Sequence, residues 1–130
     1  MNSRFVTDTM AVILRLEGRK LSQKIKAIFE NAENGKGKLI IPVMVLAEIG
    51  YLSEKERIET NLNEVKDYSL KYESIEIEPI TEEIIVKTFE INDIPELHDR
   101  IIAGTAFQKG LKLITNDPII SDSSFVKVIW

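Results

Sequence analysis

Apolar positions fall into short runs separated by longer stretches at helical spacing. Phe5 to Thr7 reads as a short buried strand, and Thr9 to Leu16 as a helix stopping at Gly18. Leu21, Ile25, Ile28, Phe29 and Ala32 mark one face of a second helix, which Asn34-Gly35-Lys36-Gly37 closes. Leu39 to Ile41 reads as a strand, with Pro42 where the next helix begins. That helix, Val43 to Leu52, is apolar nearly all round and is expected to be buried. Ser53 with Glu56 resembles a capping box opening a further helix, whose inward stripe is Ile58, Leu62, Val65, Ser69 and Tyr72. Ile75 to Ile77 alternates with glutamates, as an edge strand does. Thr81 caps a helix with Glu82 and Glu83 in its first turn, and Pro95 ends that stretch. A helix from about Leu97 to Gln108 stops at Gly110, a strand spans Leu111 to Thr115, and Phe125 to Trp130 supplies the last strand.

Strands alternating with helices imply parallel pairing through right-handed crossovers. The expected fold is α/β, a three-layer α/β/α sandwich around a central, mostly parallel sheet. The chain has no repeat and no Pro/Ser-rich linker, so residues 1–130 read as a single domain. In such sheets ligands sit beyond the carboxyl ends of the strands, where strand order reverses.

Composition narrows the chemistry. With no cysteine there is no disulfide, thiolate metal site or cysteine nucleophile, which fits a reducing, cytoplasmic setting. No apolar run approaches a membrane span. The net charge of −4 argues against a generic basic nucleic-acid binder. A polyanion would have to be held by metal and by local Lys/Arg patches. The one histidine, His98, does not make a zinc site, and it reads as a helix-start residue. Gly35-Lys36-Gly37-Lys38 lacks phosphate-loop spacing, and no nucleophile elbow is present.

Four acids remain. Asp8 and Asp117 lie just past strand ends, Asp99 opens an apolar helix, and Glu48 interrupts another. Each has a plain structural alternative: Asp8 as a helix cap, Asp117 as a turn residue, Asp99 as a first-turn acid, Glu48 as half of a buried ion pair. Those alternatives do not explain why all four fall at one rim of the sheet. Converging carboxylates without basic partners repel each other, and a divalent cation is the usual remedy. Thr9, Thr115 and Asp122 are candidates for supporting roles around them. Asp93 and Glu96 read as surface residues, and Arg100 as the partner of a nearby acid.

At these residues the chain resembles the PIN-domain ribonucleases, in particular the VapC-like toxins of toxin–antitoxin pairs. Val6-Thr7-Asp8-Thr9 and Leu46-Ala47-Glu48-Ile49 are similar to the family's first two acidic motifs. Leu97-His98-Asp99-Arg100-Ile101-Ile102-Ala103-Gly104-Thr105-Ala106 is the most specific likeness, and Ile114-Thr115-Asn116-Asp117 resembles the fourth. The resemblance implies Mg²⁺ or Mn²⁺ in the acidic pocket, hydrolysis of single-stranded or structured RNA leaving a 5′-phosphate, a homodimer, and a small antitoxin blocking the site. Asp8, Asp99 and Asp117 are the preferred ligands, and Glu48 binds a second ion or orients the attacking water. Two rivals are weighed: a catalytically weak metal- or RNA-binding module of the same fold, and a receiver-like phosphate acceptor. The latter lacks a suitable lysine after a later strand.

Overall fold

The computed structural model describes residues 3–130. Met1 and Asn2, part of the expected single domain, lie outside the described residues. Five strands form one sheet: β1 (Ser3–Thr7), β2 (Gly37–Pro42), β3 (Ile75–Glu78), β4 (Lys112–Ile114) and β5 (Val128–Ile129). Their order is β3-β2-β1-β4-β5, and every pairing is parallel. The helices are α1 (Thr9–Leu16), α2 (Gln23–Glu33), α3 (Val43–Glu54), α4 (Leu62–Lys71), α5 (Glu82–Thr88), α6 (Leu97–Lys109) and α7 (Pro118–Ser121). They flank the sheet as the α/β/α sandwich the sequence implies.

The chain builds outward from β1 to β2 and β3, then returns to the other side of β1 for β4 and β5. Strand order therefore reverses between β1 and β4. The Asp8 amide donates to the Ile114 carbonyl at 3.0 Å, joining the carboxyl ends of these two strands. Interior β2, between β3 and β1, is buried along most of its length, as a strand covered on both faces must be. Edge strand β3 buries Ile75 and exposes Glu76, while Ile77 and Glu78 are both half-buried.

Helices α5 and α6 approach closely because α6 presents Ala103, Gly104, Thr105 and Ala106, all buried. A Cβ added at Gly104 would lie 2.1 Å from Thr88 Oγ1 and 3.0 Å from Thr88 Cα. The buried hydroxyls nearby are satisfied within their own helices, Thr88 donating to the Ile84 carbonyl at 2.7 Å and Thr105 to that of Ile101 at 2.9 Å.

Several local expectations give way to longer-range packing. Only Val45 and Ile49 of α3 are fully buried, and Tyr51 is exposed. Ser53 and Glu56 do not open a helix. Instead α3 runs through Ser53, and Glu56 adopts a left-handed conformation (φ 57°) while the Arg57 amide bonds back to the Leu52 carbonyl at 3.0 Å. That is a helix C-terminal closure. The following helix starts later, capped by Asn61, and it turns Val65 and Tyr68 inward while Leu62 is exposed. Tyr68 is drawn in by polar interaction: its hydroxyl donates to Glu33, which Arg15 also grips with two bonds of 2.7 and 3.0 Å. The final strand is confined to Val128–Ile129: the Phe125 amide donates to Ser123 Oγ at 3.1 Å, in a loop that Asp93 holds through Ser123 and Ser124 at 2.8 Å each. Arg100 bonds the Ile94 and Pro95 carbonyls at 2.6 and 3.3 Å rather than an acid.

Candidate active site

Strand β1 delivers Asp8, and β4 delivers Asp117, to the point where strand order reverses. Each then caps a helix. Asp8 Oδ1 accepts from the Ala11 amide at 2.9 Å. Asp117 Oδ1 accepts from the Ile119 and Ile120 amides at 2.9 and 3.0 Å, with Pro118 leading the short α7. Capping and cleft placement are thus one arrangement, since a helix start favours a carboxylate. Helix α3 adds Glu48 from its middle, and α6 adds Asp99 from its first turn.

Two threonines brace this set. Thr9 donates to Glu48 Oε1 at 2.5 Å. Thr115, fully buried, accepts the Asp117 amide at 3.1 Å, and its hydroxyl lowers the Asp8 pKa. One residue does not join: Asp122 is placed at the end of α7 and does not line the cleft. Glu96 reads as a surface acid but caps α6, accepting the Asp99 amide at 2.6 Å while bonding His98 Nδ1 at 2.6 Å.

Asp8, Glu48, Asp99 and Asp117 line one cleft of about 450 Å³, and no lysine, arginine or histidine lines it with them. Glu48 takes part in none of the ion pairs among the described residues, so the buried-pair alternative is absent. Burial pushes the Asp8 carboxyl up to about 6, against the pull of the Ala11 amide and Thr115, with Glu48 and Asp117 pushing it further. Burial also takes Asp99 to about 6, helped by the negative charges of Glu96, Asp117, Glu48 and Asp8. The four acids repel one another across one space.

Such a donor set, all oxygen and short of positive charge, fits a hard divalent cation. Among the described residues no three acidic or histidine side chains already meet around one point as metal ligands. The four carboxylates face a common cleft without converging on one point. Their like charges repel one another, and a bound cation would offset that repulsion.

A second groove of about 530 Å³ adjoins the cleft and shares Glu48 and Leu52 with it. Met44, Tyr51 and His98 also line it. Its signal in the sequence is faint: Met44, Glu48 and Tyr51 stand four and three residues apart, which places them on one helix face.

The PIN domain family model matches residues 5–125, nearly the whole chain. The protein belongs to the PIN domain family. No curated protein sequence matches it. Among solved structures it is similar to VapBC2 from Rickettsia felis, bound to a promoter DNA fragment, with a TM-score of 0.74 and 17% identity over 98% of each chain. It is similar also to DNA-bound VapBC from Salmonella typhimurium, with a TM-score of 0.69 and 18% identity over 99% of this chain and 98% of that one. A third likeness is to VapC20 from Mycobacterium tuberculosis, described as a sarcin–ricin loop cleaving toxin. There the TM-score is 0.65 and the identity 15%, over 95% of this chain and 98% of the other. At these identities the likeness concerns the fold.

Proposed function

We propose that this protein is a divalent-metal-dependent endoribonuclease and the toxin member of a toxin–antitoxin pair. One observation carries the reading: four carboxylates from four separate elements share a cleft that no cationic side chain lines. Asp8, Asp99 and Asp117 would hold Mg²⁺, or Mn²⁺ in its place. When bound, the ion supplies positive charge against the phosphoryl oxygens as negative charge builds there. Glu48, fixed by Thr9, lines the same cleft and is assigned to orient the attacking water or to hold a second ion. Thr115 positions Asp117 through its amide.

The toxin role draws on the named complexes to which the fold is similar, and it brings two further proposals: a homodimer and a small antitoxin that blocks the cleft. Among the described residues no helix is long and apolar enough to cross a membrane; action on cytoplasmic RNA is part of the proposal. The test is direct. Purified protein is incubated with labelled single-stranded and hairpin RNA in Mg²⁺, Mn²⁺, Ca²⁺ or EDTA. Cleavage leaving 5′-phosphates in Mg²⁺ or Mn²⁺, abolished by EDTA, is expected. Melting temperature should also rise with Mn²⁺, because an ion bound only by the folded state stabilises it by mass action. Metal binding without cleavage would favour the catalytically weak binding module instead, and absence of both would remove the basis of the proposal.

A further inference from the structure

The turn between α1 and α2 concentrates positive charge in a protein of net charge −4. Arg15, Arg19, Lys20, Lys24 and Lys26 fall in one stretch whose only acid is Glu17. Glu17 is committed elsewhere. Its Oε2 accepts the Glu59 amide, the Thr60 amide and the Thr60 hydroxyl at 3.0, 2.9 and 2.7 Å, leaving Oε1 a 3.5 Å approach to Arg19. Arg15 is held by Glu33. Among the described residues no ion pair involves Lys20, Lys24 or Lys26.

Local structure makes this charge concave. Gly18 adopts a left-handed conformation (φ 65°), which a glycine takes at no steric cost. The Arg19 amide then bonds back to the Leu14 carbonyl at 2.8 Å, reversing the chain. Arg15, Arg19, Lys20 and Lys26 consequently line one pocket of about 490 Å³.

The start of α2 adds an independent observation. Its first turn has no acid and carries Lys24, with Lys26 just beyond, although a helix N-terminus disfavours cations. By contrast α4 opens with Glu64, α5 with Glu82 and Glu83, and α6 with Asp99, while α1, α3 and α7 open with neither acid nor lysine. An anion in the pocket would suit both the helix end and the lysines.

We propose that this pocket binds backbone phosphates of an RNA strand whose scissile bond lies in the acidic cleft, the choice of RNA resting on the ribonuclease reading. Helix α1 connects the two places: Asp8 caps its beginning, and Arg15 with the Gly18 turn forms its end. Eight residues of helix rise about 12 Å, so a strand following α1 would reach both within a few nucleotides. The division of labour solves a charge problem. The cleft itself repels a polyanion until a cation is present, and the pocket supplies attraction at a distance.

The test compares the full-length wild type with Lys20→Glu/Lys26→Glu, and with Lys36→Glu/Lys66→Glu as a control of equal net charge. Lys20→Gln/Lys26→Gln provides a milder variant should the reversal unfold the chain. Binding of a labelled single-stranded RNA is measured by anisotropy in Ca²⁺ across a salt series. The pocket variants should bind at least about tenfold more weakly than the control, with the log–log salt slope reduced by about 0.7 for each phosphate no longer neutralised. A weakening no greater than the control's overturns the proposal. Cleavage in Mn²⁺ is followed separately. Patch-dependent RNA binding without any cleavage by wild type would sink the ribonuclease reading and leave the phosphate pocket standing. Cleavage with KM unchanged in the pocket variants would do the reverse.

Discussion

The Thr9 hydroxyl donates to Glu48 Oε1 at 2.5 Å, tying the first residue of α1 to the middle of α3 within the cleft lining. Glutamine at position 48 keeps an oxygen for this bond and removes only the charge. Had Glu48 neutralised a buried cation, Glu48→Gln would cost about 3–5 kcal/mol by stranding it. Among the described residues Glu48 pairs with no such cation. Metal-free stability should therefore change by less than about 1 kcal/mol, or improve as repulsion on Asp8 and Asp99 is relieved. Mn²⁺ binding should weaken or cleavage slow. Paired melting curves with and without Mn²⁺ read both effects, and a large metal-independent loss would return Glu48 to the core.

Asp99→Asn tests the ligand set without disturbing α6, whose cap is Glu96. The Asp99 amide still reaches the Glu96 carboxylate. Ribonuclease activity is expected to fall by orders of magnitude while metal-free melting temperature holds or rises. A pure sample that cleaves at the wild-type rate would exclude Asp99 as a principal ligand.

Sequence pattern made the sheet legible because its signals are local and mutually consistent. Apolar runs of β1, β2 and β4, the Thr81 cap and the Gly110 stop each recur in the structure where periodicity puts them. The acidic set was legible for a related reason: carboxylates directly after strands, or inside apolar helices, conflict with burial preference. What escaped depends on partners remote in sequence. Tyr68 turns inward because Glu33, from another helix, accepts its hydroxyl. Glu56 takes a conformation that favours glycine because α3 continues through the supposed cap. Asp93 holds a loop thirty residues away, a pairing that no local pattern announces.

Gly104→Ala should be costly despite being a small change in a helix. The new Cβ would meet Thr88 Oγ1 at 2.1 Å and the Thr88 backbone at 3.0 Å, so α5 and α6 must separate. Overpacking of this kind costs about 1–3 kcal/mol. Thr88→Ala in the same chain removes the clash with the hydroxyl but leaves the one with the backbone, so the double variant should recover only part of the loss. Thermal melts of the two single variants and the double variant check this. An unshifted melting temperature for Gly104→Ala would mean the helices do not touch there.

The pH dependence of metal-free stability follows from Asp8 and Asp99, both raised from 3.8 to about 6 in the folded protein. Between those values the folded state binds more protons than the unfolded chain, so these two groups lower stability as pH rises from about 4 to above 6. Nearly buried Asp8 contributes on the order of 2–3 kcal/mol across that window, and half-exposed Asp99 contributes less because solvent screens it. Other acids, among them Glu33 and Glu17, are held below their usual range and act in the opposite sense, losing stability only as pH falls. Their effect is removed by comparing wild type with Asp8→Asn, which retains a cap residue at that position. Urea unfolding from about pH 4.5 to about 7.5 in EDTA, a range that brackets the folded-state titration, should show wild type losing stability relative to Asp8→Asn as pH increases. Millimolar Mn²⁺ should reverse the trend, because ion and proton compete for the same carboxylates. A pH-independent difference between the two proteins in EDTA would mean that Asp8 is already ionised at the acidic end of that range.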